Sequence, residues 1–313
     1  MTKFLVIGDL HGRKPILKTK DFDAVILVGD ICDDREIAPM WKKWFAELKK
    51  NRKRTPKNID LFIKQNYPNK SLKKMEKISL QKGRKILENL NKIEKPIFIV
   101  PGNWDQSYGK TRIKEKNFDK TDYNYQKSFF DFWLGETTNK KLIGGLKNIF
   151  DLQYNIVQFQ DINLIGYGLV SAPEWDEKRN KKRGKGNFSK LEKEKLLKTY
   201  SKILRKISEI FLKRIRKNMT IFISHDIPYN TKLDIVKNKD SYANKMHLGS
   251  TVARAMCVKF KPELCVGGHI HEGKGKDKLG KTILVNPGYG PKAQVLIDID
   301  EEKRKIKKIQ FLK

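Results

Sequence analysis

The fold is decided by the stretch Leu5-Val6-Ile7-Gly8-Asp9-Leu10-His11-Gly12 near the start of the chain. Its first residues are apolar and partly β-branched, which is typical of a buried strand. Alternate side chains of an extended segment point the same way, so Asp9 and His11 should face a common point where this strand ends. Carboxylate and imidazole groups together favour a divalent transition metal. Alone, the Asp-x-His pair is weak evidence, because a capping Asp and a surface His form the same pattern.

Further residues that can bind a metal follow one later apolar run after another. Together with Asp9 and His11 they make seven oxygen and nitrogen donors, more than one ion needs, so we expect two adjacent ions that share a carboxylate. Taken alone, the His-x-His pair near residue 270 is also compatible with two exposed imidazoles on a strand. The later residues are Asp30, Asn103, His225, His269 and His271.

Two metal ions bound side by side have a well-defined chemistry. At a separation of about 3.5–4 Å they hold a phosphate and lower the pKa of a bound water, which then attacks phosphorus in line. Imidazole and carboxylate ligands suit Mn, Fe, Zn or Ni better than Ca or Mg. We therefore expect two divalent ions, manganese before iron, zinc or nickel, and a phosphate-ester substrate.

The composition indicates a globular protein. Apolar residues make up 38% of the 313 residues, and strand-like and helix-like runs alternate, which predicts an α/β fold. The chain has three cysteines, an odd number, and they lack the spacing of a disulfide framework: Cys32, Cys257 and Cys265. This predicts reduced thiols and a cytoplasmic protein. No apolar run has the length of a signal peptide core or a membrane span, so we expect no membrane partner.

The formal net charge of +32 has two explanations. It predicts nucleic acid or another polyanion as a partner, or it reflects a lysine-rich proteome in which Lys fills solvated helix faces. Residues 42–95 alone carry 18 Lys or Arg against 5 Asp or Glu, with apolar residues at helical spacing. We interpret this stretch as a basic helical insertion. Charge alone does not decide between the two explanations.

The sequence resembles the calcineurin-like metallophosphoesterases, whose five motif blocks all occur here in the family's order. The resemblance implies an α/β fold in which two mixed β-sheets are sandwiched between helices, with the site at the carboxyl ends of the strands. We expect one such domain over residues 1–313, with insertions at about 36–95, 106–150 and 176–218. The five blocks are Gly8–Gly12, Gly29–Asp33, Gly102–Asp105, Ser224–Asp226 and Gly268–His271.

The resemblance also implies how the ligands divide between two ions. Asp30 belongs to both sets and would therefore bridge the ions. One set is Asp9, His11, Asp30 and His271, and the other is Asp30, Asn103, His225 and His269.

Trp104 departs from the family pattern. Many members have a His there, which is taken to protonate the leaving group, whereas an indole offers one N–H donor and does not titrate. A subset of small prokaryotic phosphoesterases, several with diesterase activity, also lacks this His. The Asp-Arg-Gly of the Ser/Thr protein phosphatases is missing too, because Asp34-Arg35-Glu36 follows Asp33. We therefore expect a metal-dependent phosphoric ester hydrolase acting on a phosphodiester or nucleotide, not on a phosphoprotein.

Two further residues are candidates for supporting roles. Asp33, three residues after Asp30, should support a ligand or cap a helix. His247 is the one histidine of five outside the predicted metal site, and it precedes Gly249-Ser250, a helix start whose free N–H groups favour anions. It is therefore the candidate catalytic acid, and an ordinary surface-loop histidine is the alternative.

Two rival functions stay open. In a nuclease, the basic insertions would hold DNA or RNA across the site. In a non-catalytic binding scaffold, the fold would persist without chemistry, but scaffolds usually lose ligands and none is missing here.

Overall fold

The computed structural model describes residues 1–51, 54, 59–106, 142–168, 190–239 and 244–313. Strands in this part of the chain form two six-stranded sheets, both of mixed direction. The first sheet contains, in spatial order, β12 (Lys305–Phe311), β11 (Gln294–Asp300), β1 (Thr2–Ile7), β2 (Ala24–Leu27), β3 (Ile97–Ile99) and β4 (Ile149–Asp151). Here β1 to β4 run parallel, and β11 is antiparallel to both its neighbours.

The second sheet repeats this mixed arrangement. Its strands, in spatial order, are β5 (Asn155–Phe159), β6 (Ile162–Tyr167), β7 (Met219–Asp226), β8 (Leu264–Gly268), β10 (Thr282–Asn286) and β9 (Gly275–Leu279). The four central strands are parallel, and the two outer pairs are antiparallel.

Helices connect the strands. The described helices are α1 (Ala38–Lys50), α2 (Ile59–Asn66), α3 (Leu72–Asn91), α4 (Asn103–Gln106), α5 (Lys190–Leu212) and α6 (Thr251–Phe260). None of them has the length and apolar character needed to cross a membrane.

The alternation of side chains along each strand builds the layers. Phe4 and Val6 of β1 lie in one buried cluster with Ile221 of β7, which fills the space between the sheets. Leu5 points the other way, into a second cluster that also holds Leu87 of α3. Each such buried aliphatic side chain stabilises the fold by about 1.5–3 kcal/mol. Because both sheets are also covered on their outer faces, apolar residues occupy both faces of the central strands.

Helices cover the outer face of the second sheet as well. Phe211 of α5 packs edge-on against Phe222 of β7, with ring centroids 5.2 Å apart, and stacks on Phe260 of α6 at 4.6 Å. Two mixed sheets flanked by helices are therefore present, and the predicted fold class is confirmed.

The predicted insertions coincide only in part with described residues. Helices α1 to α3 occupy the segment 36–95, and α5 lies in the segment 176–218, whose residues 176–189 fall outside the described part. Residues 107–141 of the segment 106–150 also lie outside it. The division into one domain with insertions stays a prediction.

Candidate metal centre

The predicted ligands lie together where the central strands of the two sheets end. Six of them form two groups, within each of which the possible ligand atoms are no more than 4.8 Å apart. Asn103 joins the second group, because its Oδ1 lies 3.2 Å from His225 Nε2 and 3.1 Å from His269 Nδ1. The first group is Asp9, His11 and His271, and the second is Asp30, His225 and His269.

Asp30 lies between the two groups. One of its carboxylate oxygens, Oδ2, is 3.3 Å from His11 Nε2 and 3.4 Å from His225 Nε2. Its other oxygen, Oδ1, accepts a hydrogen bond of 2.8 Å from the backbone N–H of Trp104. A single oxygen therefore faces an imidazole of each group, which is the position that a bridging carboxylate requires.

Three of these residues have an unusual backbone conformation. His11, Asp30 and His269 have φ values of 44°, 51° and 65°, in the left-handed region that side chains rarely adopt. Each such residue costs about 1–3 kcal/mol, and such strain clusters at functional sites. His11 is therefore not extended, and the predicted reason for its proximity to Asp9 is wrong: a turn brings it there, with its N–H donating to the Asp30 carbonyl at 2.7 Å.

The His-x-His pair is not a strand pair either. Strand β8 ends at Gly268, and His271 begins a short 3-10 turn (His271–Gly273). The left-handed conformation of His269 turns the chain, so the two imidazoles belong to different groups. The alternative of two exposed imidazoles on one strand is wrong.

Two glycines allow the carboxylates to approach closely. A Cβ on Gly102 would lie 2.1 Å from Asp30 Oδ1, and one on Gly268 would lie 2.3 Å from Asp9 Oδ1. Non-bonded carbon and oxygen atoms do not approach so closely, and the backbone cannot yield without moving the carboxylate. Both glycines are thus required by the geometry of the site.

An ion-pair contact and a hydrogen bond orient two of the imidazoles. His11 Nδ1 lies 2.9 Å from Asp34 Oδ2, and His225 Nδ1 lies 2.6 Å from the carbonyl oxygen of Val28. Each contact leaves the Nε2 atom facing its group, which is the usual arrangement of metal-binding histidines. Asp34 was not predicted from the sequence, although it stands next to the candidate Asp33.

Asp33 itself has a different role. It accepts hydrogen bonds from Arg35 Nε at 2.7 Å and from Lys82 Nζ of α3 at 2.6 Å. These two cations hold its pKa at about 2, although burial acts in the opposite direction. Asp33 thus ties α3 to the loop after β2, and Asp34 provides the predicted support for a ligand.

Asp105 closes one of the five motif blocks, but the sequence did not indicate its role. Its carboxylate accepts from the backbone N–H groups of Gly102, Ile31 and Cys32 at 3.0, 2.9 and 2.8 Å. Burial, together with the nearby Asp30, raises the pKa of Asp105 to about 6. The residue joins the loops after β2 and β3, and so sets the position of Asp30 relative to Asn103.

The donor set fits divalent cations. Asp9 Oδ1 is completely buried and receives no hydrogen bond within the described part of the chain, whereas Oδ2 accepts from the His269 N–H at 2.7 Å. A buried carboxylate oxygen without a donor is costly unless a cation compensates it. His11 Nε2 and His271 Nε2 also face each other at 3.2 Å. These residues are arranged as ligands around shared positions.

The charges of the site favour protonated imidazoles when no metal is bound. Burial lowers the pKa of His11, but Asp30, Asp34 and Asp9 outweigh it and raise the value to about 11. Burial also lowers the pKa of His225, but Asp30 and Asp9 outweigh it and raise the value to about 10. Burial would raise the pKa of Asp30, but His225 and His11 hold it well below its usual range. A metal ion must therefore displace protons from both imidazoles.

We expect Mn²⁺ binding to the metal-free protein to release protons at pH 7 and to tighten as the pH rises toward 10. Both changes follow because protons and the metal compete for His11 and His225. Calorimetry in two pH 7 buffers of different ionisation enthalpy measures the protons released. The variant His247→Ala, whose imidazole lies outside both groups, should release the same number. A binding heat that does not depend on the buffer would contradict this expectation.

The family follows from a comparison of the whole sequence. The sequence model of the family described as calcineurin-like phosphoesterase matches residues 2–273. The chain belongs to this family. Members are metal-dependent phosphoric ester hydrolases with a dinuclear centre of divalent ions, and the two groups of candidate ligands described above correspond to such a centre.

Known proteins resemble this chain at low identity. The uncharacterized protein MJ1162 of Methanocaldococcus jannaschii is 27% identical over 168 residues, which are 52% of this chain and 65% of that protein. The chain therefore matches slightly less than two thirds of this relative's length. One crystal structure is 18% identical, with a TM-score of 0.54 over 100% of this chain and 99% of the other. That similarity shows a shared fold.

A third comparison has a named activity. The phosphopantetheinyl hydrolase PptH of Mycobacterium tuberculosis is 11% identical, with a TM-score of 0.49, and the match covers 93% of this chain and 90% of that one. This similarity is too distant to assign its substrate to the present protein.

The two residues that bear on proton transfer lie in different places. Trp104 is at the start of α4, and its ring centroid is 6.3 Å from that of His11. His247 lies outside both groups: its Nδ1 is 2.7 Å from Oδ1 of the buried Asp234, and its ring is 6.0 Å from Tyr229. The helix start predicted after it is present, with the Ser250 side chain capping α6. A catalytic role of His247 stays a prediction.

Proposed function

We propose that the protein binds two manganese ions and hydrolyses a phosphodiester or a nucleotide. The observation that supports this most is the position of Asp30 Oδ2 between His11 and His225. In this proposal Asp30 holds both ions. Asp9, His11 and His271 complete the ligands of one ion, and Asn103, His225 and His269 complete those of the other.

Two such ions, when bound, supply positive charge for the phosphate oxygens and a water activated for in-line attack on phosphorus. The chain itself supplies geometry. Asp34 and the Val28 carbonyl orient the imidazoles of His11 and His225. The backbone N–H of Trp104 holds Oδ1 of Asp30, the carboxylate oxygen that does not lie between the two groups. The strained backbone of the ligand loops is held by the surrounding hydrogen bonds, so the ligands are arranged before a substrate arrives.

The surroundings of the centre favour a small ester over a phosphoprotein. The protein phosphatases have an Asp-Arg-Gly motif in this loop, and Arg35 is the arginine of this chain that lies nearest to it in sequence. Arg35 donates to Asp33 through Nε and Nη2 at 2.7 and 3.0 Å. Its guanidinium is thus paired within the loop. Trp104, next to Asn103, cannot donate a titratable proton to a leaving group. These features support a diester or nucleotide whose leaving group departs without help from that position.

A substrate panel tests the proposal. The manganese-loaded protein should hydrolyse bis(4-nitrophenyl) phosphate and lose this activity when a chelator removes the metal. A phosphoserine peptide should be a poor substrate. Hydrolysis that persists without metal would contradict the metal-dependent mechanism. Faster turnover of the phosphopeptide than of any diester or nucleotide would contradict the proposed substrate class.

A nuclease is the second candidate, and the distribution of charge favours it. On α3, Lys74, Lys77 and Lys85 are exposed, while Leu87 and Leu90 on the same helix are buried in the core. The helix therefore presents a basic outer face to solvent. Such a face attracts the phosphates of DNA or RNA, and it is also the composition of an ordinary solvated helix.

Binding of duplex DNA should weaken with salt if this second candidate is correct. The logarithm of the affinity should fall linearly with the logarithm of the salt concentration, with a slope near −0.9 per phosphate neutralised. Changing Lys74, Lys77 and Lys85 to Gln should flatten the slope by roughly one per lost phosphate contact. Fluorescence anisotropy over a range of salt concentrations measures both. Absence of binding at low salt would instead support the lysine-rich composition as the source of the charge.

A further inference from the structure

The side chain of Arg13 is held beside the first group of candidate ligands. Arg13 Nη1 donates to the carbonyl oxygen of His11 at 3.2 Å, and its guanidinium carbon lies 4.8 Å from the ring centroid of Tyr289. Tyr289 in turn stacks on His271, with centroids 4.2 Å apart and ring planes at 22°. Its centroid is also 5.3 Å from that of His11. One aromatic ring therefore connects the guanidinium to two imidazoles of the centre.

The backbone fixes this aromatic ring. Tyr289 forms an isolated parallel bridge with Asp9, and the next residue, Gly290, donates its N–H to the Asp9 carbonyl at 2.8 Å. The preceding turn is held by Asn286, whose amide donates to the Ile270 carbonyl at 2.9 Å and accepts from the Gly288 N–H. The backbone of Asp9 and the segment between His269 and His271 thus set the position of Tyr289. The Tyr289 side chain is 39% exposed.

Arg13 keeps most of its hydrogen-bonding capacity. An arginine has five N–H donors, and in the described part of the chain the guanidinium of Arg13 makes one hydrogen bond and no ion pair. Arg35 differs, because Asp33 accepts from two of its nitrogens. The absence of an ion pair therefore distinguishes Arg13 from Arg35.

We infer that Arg13 binds a phosphate oxygen of the substrate, and that Tyr289 positions it for this contact. The inference rests on the proposed phosphoesterase function. A planar guanidinium with free N–H groups matches the oxygens of a phosphate, and it binds them with strong charge-assisted hydrogen bonds. Stacking on Tyr289 restricts the long side chain beforehand, so less conformational freedom is lost when the anion binds. Arg13 thus adds a fixed positive charge on the side of His11 and His271.

Inorganic phosphate is a direct probe of this site. In the manganese-loaded protein, Arg13→Ala should weaken phosphate binding about tenfold or more by calorimetry, because a charge-assisted hydrogen bond is lost. The KM for bis(4-nitrophenyl) phosphate should rise by a similar factor, with a smaller change in kcat. Arg13→Lys keeps the charge without the planar fork, so its phosphate affinity should lie between those of the wild type and Arg13→Ala. Lys14→Ala removes an exposed positive charge one residue away and should behave as the wild type.

Variants of Tyr289 separate positioning from simple packing. Tyr289→Phe keeps the ring and should bind phosphate as the wild type does. Tyr289→Leu removes the ring and should repeat the loss seen in Arg13→Ala. Combining Tyr289→Leu with Arg13→Ala should cause little further loss, because the two residues act through one contact.

The outcomes distinguish this inference from the proposed function. Arg13→Ala that binds phosphate as tightly as the wild type, with hydrolysis intact, would overturn the inference alone. Loss of bound manganese in Arg13→Ala would also overturn it, because Arg13 would then act on the centre and not on the anion. Phosphate binding that depends on Arg13 in a protein that hydrolyses no ester would support the inference and contradict the proposed function.

Discussion

Replacing Asp30 with Asn should lower kcat/KM for a phosphodiester by about 10³-fold or more and leave the fold intact. The reason is the position of Oδ2, which is 3.3 and 3.4 Å from the Nε2 atoms of His11 and His225. An amide oxygen in its place carries no charge and cannot hold two cations. Metal ions contribute several kcal/mol to transition-state stabilisation, and each 1.4 kcal/mol is a factor of ten in rate. Steady-state kinetics, metal analysis and circular dichroism of the same sample measure rate, occupancy and fold.

A neighbouring carboxylate provides the control. Asp33 is also buried and lies three residues away, but it binds Arg35 and Lys82 and belongs to neither group. Asp33→Asn should therefore keep two metal ions per chain, whereas Asp30→Asn should keep fewer than two. Asp9→Asn and His225→Ala should behave like Asp30→Asn. If any of these three ligand variants kept near wild-type turnover at limiting metal, the assigned site would be wrong.

The second large effect concerns Trp104. Because this side chain does not titrate, substrates with poor leaving groups should be hydrolysed much more slowly than activated aryl esters. General acid catalysis contributes about 10²–10⁴-fold, and a protein without it should lose that factor on the poor leaving groups first. Trp104→His should raise kcat/KM for those substrates more than for aryl esters. The measurement is kcat/KM against the pKa of the leaving group.

His247 decides whether another residue replaces the missing acid. Its imidazole is held by the buried Asp234 at 2.7 Å, outside both groups of ligands. If it donates the proton, His247→Ala should slow substrates with poor leaving groups far more than aryl esters. If it does not, both classes should be nearly unchanged. Three parallel plots, for the wild type, His247→Ala and Trp104→His, would show that no general acid matters and would contradict the reasoning from Trp104.

Much of the fold and the centre could be predicted from the sequence because both depend on short-range patterns. Apolar runs such as Ala24–Leu27 are buried on both faces, so they are recognisable as central strands without any knowledge of their partners. The candidate ligands follow these runs directly. Their meeting at one edge is then a consequence of the strands being parallel.

The details that were missed depend on contacts between distant segments or on backbone conformation. Tyr289 stacks on His271, and Arg13 approaches Tyr289, across a separation in sequence that no local pattern reveals. The left-handed conformations of His11 and His269 run against the preference of their residue type, since glycine is expected there. Tertiary hydrogen bonds impose these conformations. An extended strand was therefore the wrong basis for a correct juxtaposition of Asp9 and His11.

A crystal structure of the protein grown with Mn²⁺, with anomalous scattering to locate the ions, tests the central claim most directly. The proposal predicts two manganese ions about 3.5–4 Å apart, both in contact with the carboxylate of Asp30. Asp9, His11 and His271 should contact one of them, and Asn103, His225 and His269 the other. A single ion, or two ions neither of which contacts Asp30, would contradict it.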